Sequence, residues 1–336
     1  MTLQEALELH QSGRLDAAEQ AYRAYLQAQP DDADALHLLG VLRQQCGDTP
    51  EALDLIRRAI ALVADHAQFH LSLGGALLSD GDTEAARVSF EQALALDPNS
   101  IESHAVLGHL ALGDGDVAGA ERRFRVGRRA EQDDPLILLG LGNVYLSRQD
   151  SANAVKFLTR AAERRPDDGA IQASLGQALF EQGAYNFAEQ AFRNALRLQP
   201  DLGSARLWLG RSLLRQQRAA EAREQFSALA EAGQQLFGAF LGLADVASTQ
   251  GRMATAVKWY RRALSIDPGQ GAASVACASC LERLGDIGGA AQVLAAALQR
   301  SPEAEELRAA LARLLERGGR ERPANAPAAF DADAAP

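Results

Sequence analysis

The sequence repeats one pattern every 34 residues, and this period constrains the fold more than any other feature. In residues 67–100 the pattern is carried by Leu73, Gly74, Gly81 and Phe90. Apolar residues recur at three- and four-residue spacing on both sides of Gly81, which predicts two amphipathic helices joined by a turn. One such hairpin cannot bury its apolar faces, whereas stacked copies can. The sequence therefore predicts an all-α solenoid.

Nine copies follow one another without an insertion. They span residues 1–32, 33–66, 67–100, 101–134, 135–168, 169–202, 203–236, 237–270 and 271–304, and the first copy lacks its first two positions. Residues 305–317 continue the register with charged outer positions, which predicts a capping helix. We expect one elongated domain over residues 1–319, followed by a disordered Pro-, Ala- and Asp-rich tail over residues 320–336.

The repeat positions are numbered 1 to 34 here, and the two helices of each copy are called helix A and helix B. Positions 8 and 20 are Gly or Ala in all nine copies. Position 24 is bulky in every copy: Tyr22, Ile56, Phe90, Phe124, Leu158, Phe192, Phe226, Tyr260 and Leu294. We expect the small residues to let helices A and B approach while position 24 fills the space beside them.

Position 15 is glycine in seven copies, which predicts a left-handed residue at the end of helix A. Gln149 and Gln217 replace that glycine, so these two turns should carry strain or adopt another geometry. Side-chain caps are expected at the start of helix B from Asp48, Asp82, Asp116, Asp150 and Asp286. Caps for helix A are expected from Asp31, Asn99, Asp167 and Asp201.

These columns resemble the tetratricopeptide repeat (TPR) family, which has Leu-Gly at positions 7 and 8, Ala at 20, an aromatic residue at 24, Ala at 27 and Pro at 32. The resemblance covers about residues 1–319. It implies a right-handed superhelix in which the A helices line a concave groove and the B helices form the outer surface. Residues 6–42 also resemble bacterial proteins in which such repeats precede a glycosyltransferase, sulfotransferase or hydroxylase module.

Composition restricts the partners and the compartment. The chain has 44 acidic and 34 basic residues, a net charge of -10, which argues against nucleic acids and anionic membranes. The first helix lacks a basic start and an apolar core, so it does not predict a signal peptide, and no apolar run is long enough for a bilayer. Three cysteines without framework spacing favour a reducing compartment. We expect a cytoplasmic protein from a bacterium, because alanine is abundant and only two lysines occur.

No motif predicts catalysis. Cys277 and Cys280 form a C-x-x-C pair, but they occupy apolar columns of a helix A, and no second pair completes a zinc site. The six histidines do not form a site, and His37 and His109, on groove columns, lack a carboxylate partner at catalytic spacing. No phosphate-binding glycine loop is present. The sequence predicts neither an enzyme nor a cofactor or metal site.

A binding site is predicted on the A helices of repeats five to eight. Trp208 stands at position 6, where neighbouring repeats have small residues, and two arginines follow it on the same helical face. An aromatic ring beside arginines is typical of a binding hot spot. The alternative is that Trp208 only fills space left by Ser174 and Gly242. The predicted partner-binding residues are Asn143, Leu146, Gln177, Phe180, Trp208, Arg211, Arg215 and Asp245.

The sequence is compatible with two functions. The first is a non-catalytic scaffold that binds a peptide or partner helix, acidic or apolar, in the groove. The second is the recognition arm of a protein-modifying transferase whose catalytic module lies on another chain.

Overall fold

The computed structural model describes residues 2–130 and 133–320. Over these ranges it contains nineteen α-helices and no strand, which confirms the all-α prediction. The described residues form two compact units, of which the first ends at Pro166 and the second begins at Asp167. The predicted tail, apart from its first residue, lies outside the described residues. The extent of the domain, 1–319, remains a prediction.

The first unit contains the ten helices of repeats one to five. They are α1 (Leu3–Gln11), α2 (Leu15–Ala28), α3 (Ala33–Gln45), α4 (Thr49–Leu62), α5 (Ala67–Asp80), α6 (Thr83–Leu96), α7 (Ile101–Gly113), α8 (Val117–Ala130), α9 (Pro135–Ser147) and α10 (Ser151–Arg164). Odd-numbered helices are the A helices and even-numbered helices are the B helices. Each packs mainly against its neighbours in sequence, as a solenoid requires.

The second unit contains the helices of repeats six to nine and one further helix. They are α11 (Gly169–Glu181), α12 (Tyr185–Leu198), α13 (Gly203–Arg215), α14 (Ala219–Glu231), α15 (Leu236–Thr249), α16 (Met253–Ile266), α17 (Gly271–Arg283), α18 (Ile287–Arg300) and α19 (Glu305–Arg320). Helix α19 is the predicted capping helix. It continues beyond residue 317, where the sequence predicted its end.

The packing of small against large residues is confirmed. A Cβ atom added to Gly210 would lie 2.6 Å from the ring of Phe226, its partner at position 24. The same ring would meet a Cβ at Gly242 of the next repeat, also at 2.6 Å. Position 6 thus faces the bulky residue of the preceding hairpin, a contact between hairpins that the sequence did not predict. Phe226 is fully buried as a result.

The turns between helices A and B share one geometry. Gly81 has φ +88°, and the other six glycines at position 15 are also left-handed. Gln149 and Gln217 adopt the same conformation, with φ of 60° and 63°. The expected strain is therefore present without a change of loop, because a Cβ atom in this region crowds the backbone.

The predicted caps of helix B are confirmed, whereas those of helix A are shifted. Asp82 accepts a hydrogen bond from the Ala85 amide at 3.0 Å, and the other four aspartates make the same contact. Helix A was expected to be capped by Asp31, Asn99, Asp167 and Asp201. The capping residues are instead Asp32, Ser100 and Asp168, one position later, and Leu202 gives no side-chain cap. The loop after helix B is thus one residue longer than predicted.

None of the described helices combines the length and apolar character needed to cross a bilayer.

Candidate functional site

Three aromatic rings of the second unit form a row that runs from one A helix to the next. The ring of Phe180, at the end of α11, contacts the indole of Trp208 in α13, with centroids 5.1 Å apart and planes inclined by 63°. Phe180 also contacts Tyr185, at the start of α12, with centroids 5.3 Å apart and planes inclined by 61°. Edge-to-face pairs of this kind hold each ring in a defined orientation.

Two arginines of α13 lie over this row, one helical turn apart. The guanidinium carbon of Arg211 lies 4.7 Å from the centroid of Trp208, and that of Arg215 lies 5.1 Å from the centroid of Tyr185. Each such cation–π contact contributes about 0.5–2 kcal/mol, depending on exposure. We refer to Phe180, Tyr185, Trp208, Arg211 and Arg215 as the aromatic–arginine site.

The two guanidinium groups are not paired with an acid in the part of the chain that the structure describes. Among the described residues, no carboxylate oxygen lies within 4.0 Å of Arg211 or Arg215. Arg211 is half-buried, and burial lowers its pKa although the negative charge of Asp245 opposes this shift. Arginine stays charged in proteins, so the site presents two positive charges beside aromatic surface.

Asp245, the predicted site residue on α15, is held by its own chain. Its carboxylate accepts a hydrogen bond of 2.6 Å from the hydroxyl of Tyr260 in α16. Burial raises the pKa of Asp245, whereas the hydrogen bond from Tyr260 and the charge of Arg211 lower it, and the net shift is upward. Asp245 therefore helps to set the charge around Arg211 and has one oxygen already occupied.

The remaining predicted residues are less closely connected to the site. Gln177 in α11 donates a hydrogen bond of 3.1 Å to Glu181. Asn143 and Leu146 lie in α9 of the first unit, where both are partly buried, and the backbone carbonyl of Asn143 accepts the Ser147 hydroxyl at 3.0 Å. The contacts of the second unit bring together only Phe180, Trp208, Arg211, Arg215 and, through its charge, Asp245.

Trp208 combines features of both interpretations of the sequence. Its indole packs against the buried cluster that includes Phe192 and Phe226, as a space-filling residue would. It nevertheless stays only partly buried and carries Arg211 on its ring. Binding residues commonly have one buried side and one accessible side, which supports Trp208 as an anchored contact residue.

Tyr185 is the site residue that the sequence did not predict. It is the first residue of a helix B, whereas candidates were sought only on the A helices. The repeat register contains a signal for its contact with Arg215. Arg215 is the last residue of a helix A, and that end of the helix lies beside the turn of the preceding hairpin, where Tyr185 begins helix B.

The two cysteines of the C-x-x-C pair pack in the hydrophobic core. Cys277 and Cys280 are both buried in α17, and burial raises the pKa of the Cys277 thiol to about 11. Cys280 donates to the Ser248 hydroxyl at 3.7 Å. Within the described ranges, no group of three or more His, Cys, Asp or Glu side chains is placed to hold a metal ion.

Comparison with known families agrees with the observed fold. A TPR-type family model, described as the C-terminal domain of cilia and flagella-associated protein 70, matches residues 3–203. The chain belongs to the tetratricopeptide repeat family. Two further TPR models match residues 174–236 and 247–314. No curated protein sequence matches the chain.

Solved TPR structures share the fold at low sequence identity. The structure of PilF from Pseudomonas aeruginosa is 22% identical, with a TM-score of 0.52, and the match covers 61% of this chain and 93% of that one. The Cut9–Hcn1 hetero-tetramer of the APC/C is 15% identical, with a TM-score of 0.65 and coverage of 90% and 59%. A TPR protein from Parabacteroides merdae is 13% identical, with a TM-score of 0.54 and coverage of 74% and 98%. At these identities the likeness concerns the fold alone.

Proposed function

We propose that this TPR protein is a non-catalytic scaffold that binds a partner protein through the aromatic–arginine site. The observation that carries the proposal is the pair of guanidinium groups that lie over aromatic rings and have no carboxylate partner among the described residues. The ligand is a peptide or helix that places an apolar side chain against Trp208 and a carboxylate beside Arg211 or Arg215.

The stacking explains why this surface suits recognition. An arginine that lies over a ring keeps its N–H groups directed outward in a fixed plane, where they match a carboxylate. The rings are already ordered by their mutual contacts, so little side-chain entropy is lost on binding. Tryptophan, tyrosine and arginine are the residues that dominate binding energies in protein interfaces.

The structural neighbours are compatible with this role. The Cut9–Hcn1 structure is an assembly of a related fold with another chain, and PilW, 18% identical with a TM-score of 0.53, is described as a pilus biogenesis factor. Neither name identifies the partner of this chain.

The double variant Trp208→Ala, Arg211→Glu tests the proposal. Proteins captured from a cell lysate by the wild-type chain are identified by mass spectrometry, and their affinity for each variant is then measured with purified partner. We expect affinity to fall by at least about a hundredfold, because both an aromatic anchor and a charge partner are lost.

The matched control is Leu284→Ala with Arg223→Glu, which also removes an apolar side chain and reverses one charge in the second unit. Leu284 is 50% exposed and Arg223 is exposed, and both lie outside the site. Circular dichroism and melting should match the wild type in both double variants. Unchanged affinity together with a large fall in melting temperature for the Trp208 variant would assign Trp208 to the core instead. A captured protein-modifying transferase would identify the chain as a recognition arm.

A further inference from the structure

Helices α16 and α18 carry basic residues and no acidic ones. Their sequences contain Lys258, Arg261, Arg262 and Arg300 but neither Asp nor Glu, although the chain as a whole has a net charge of -10. All four side chains are exposed. In the described part of the chain, none of the four lies within 4.0 Å of a carboxylate oxygen.

Two arginines of the preceding B helices in the same unit, Arg193 and Arg218, have a different environment. Arg218, at the start of α14, contacts Glu189 and Glu221 at 2.6 Å each. Arg193 in α12 contacts Glu189 at 3.0 Å. The charges of Arg193 and Arg218 are thus neutralised within the chain, whereas those of α16 and α18 remain available to a ligand.

One edge of this surface is aromatic. The ring of Trp259 in α16 is stacked on Phe240 in α15, with centroids 5.5 Å apart and planes inclined by 26°. The guanidinium carbon of Arg262 lies 4.9 Å from the centroid of Trp259 and 5.9 Å from that of Phe240. Both rings are partly buried, so Arg262 is held over them while its N–H groups face solvent.

The opposite edge is an apolar cleft between α16 and α18. It is lined by Leu264, Pro268, Val293 and Ala296, and Arg261 and Arg300 stand at its sides. Arg300 donates to the carbonyl of Ala296 at 3.3 Å, which places its guanidinium at the cleft. Successive helical residues are separated by about 100°, so Arg262, Lys258 and Arg261 occupy the exposed ridge between the aromatic edge and the cleft.

We propose that this surface, which we call the α16–α18 face, docks an acidic segment of a partner protein. One carboxylate pairs with Arg262 over the Trp259 ring, a second pairs with Arg261 or Arg300, and an apolar side chain between them enters the cleft. A peptide fits better than a nucleic acid, because a phosphate backbone carries no side chain to fill an apolar cleft and the net negative charge of the chain opposes it. The α16–α18 face is separate from the aromatic–arginine site and does not depend on it.

The two tryptophans of the chain make a direct test available. The sequence contains only two tryptophans, Trp208 and Trp259. In the Trp208→Phe variant, tryptophan fluorescence therefore reports only on the α16–α18 face, and in the Trp259→Phe variant it reports only on the aromatic–arginine site. The probe is a synthetic peptide of three Asp-Glu-Ala-Leu repeats, and the control peptide has Asn-Gln-Ala-Leu repeats. We expect the acidic peptide to change the fluorescence of Trp259 saturably at low salt, with weaker binding as salt is added. The neutral peptide should have no effect.

Variants then locate the binding. In the Trp208→Phe protein, the double substitution Arg261→Glu, Arg262→Glu should lower the affinity for the acidic peptide by at least about tenfold. Reversing the same number of charges on the first unit, with Arg122→Glu and Arg129→Glu on α8, should leave its affinity within about twofold. All four positions are exposed, and circular dichroism checks that the variants remain folded.

Three results would overturn the proposal. An equal loss of peptide affinity in the α16 and α8 double variants would show that the peptide binds by general electrostatic attraction. A fluorescence change confined to Trp208 would place the acidic peptide in the aromatic–arginine site, which would support the proposed function and exclude this surface. Tighter binding of an oligothymidine of twelve nucleotides than of the peptide, at the same salt, would make the surface a nucleic-acid site.

Discussion

At the scale of single residues, two glutamines occupy a backbone conformation that glycine occupies in seven other repeats. Gln149 and Gln217 have φ near +60°, where an L side chain costs about 1–2 kcal/mol relative to the right-handed region. At Gln217 the stacked hairpins on either side fix the loop, and the loop in turn fixes the conformation of the residue. Packing energy therefore offsets the local strain.

Replacement of Gln217 by glycine should raise the free energy of unfolding. The strain is removed while the flexible unfolded chain gains entropy, and the expected net gain is about 0.5–1 kcal/mol. Urea or guanidinium unfolding followed by circular dichroism measures the effect. The control is Gln190→Gly at an exposed position inside α12, which should lose about 1 kcal/mol of stability. A loss of stability in Gln217→Gly would show that the left-handed turn carries no strain.

Residue types alone predicted much of the packing but not the role of Trp208. Position 24 is bulky in every repeat, so Phe226 could be assigned to the core from the sequence. Trp208 is one exception in a column of small residues, and a single exception fits either a filled gap or a ligand contact. The structure adds the missing information, namely the contacts of its ring with Phe180 and Arg211.

At the scale of helices, neighbouring hairpins of the second unit are joined by a buried acid. Glu189 in α12 is 12% exposed at its side chain and accepts hydrogen bonds from Gln216 at 3.0 Å and from Arg218 at 2.6 Å, both of the following hairpin. Burial opposes its ionisation, but the hydrogen bonds from Gln216, Arg193 and Arg218 outweigh burial and lower the pKa of Glu189 below its usual 4.5. Glu189 thus links α12 to the turn between α13 and α14.

This lowered pKa predicts how stability depends on pH. The contribution of Glu189 is fully present above the unfolded pKa of about 4.5, and it is lost as pH falls through the lower folded pKa, because the native site must then take up a proton. Glu189→Gln should therefore reduce the free energy of unfolding at neutral pH. It should also make that free energy fall less steeply as the pH is lowered, measured by denaturant unfolding between about pH 3 and 7. Glu224→Gln, an exposed position on α14, is the control and should leave the profile unchanged. If the free energy of unfolding of Glu189→Gln fell with decreasing pH as steeply as that of the wild type, the lowered pKa of Glu189 would be contradicted.

Helix ends were less predictable than helix faces. The aspartates after the glycine turn cap helix B as expected, because the turn has a fixed length. The loop after helix B ends one residue later than expected, so Asp32 rather than Asp31 caps α3. A shift of one residue leaves the apolar period unchanged, so periodicity could not detect it.

At the scale of the whole molecule, contacts are local within each of the two units. The helical period passes through residues 166 and 167 without interruption, so the repeat pattern does not indicate that the described residues divide there. A uniform period predicts which residues pack within a repeat, whereas a division between units depends on the contacts that successive repeats make.

Local packing predicts graded protection of backbone amides. Helix α1 packs mainly against α2 and α3, and α19 mainly against α17 and α18, whereas α5 and α15 have neighbours on both sides. Hydrogen exchange measured by mass spectrometry should therefore be fastest in α1 and α19 and slowest in α5 and α15. Uniform exchange along the chain would show that the helices unfold in one cooperative step.

The positions of the three cysteines have a practical consequence. Cys46 is exposed in the first unit, whereas Cys277 and Cys280 are enclosed in the second. A thiol-reactive dye added to the native protein will couple at one defined point far along the sequence from both tryptophans. The natural chain can thus be labelled or tethered to a surface at Cys46 without any engineered residue, leaving the second unit unmodified for binding measurements.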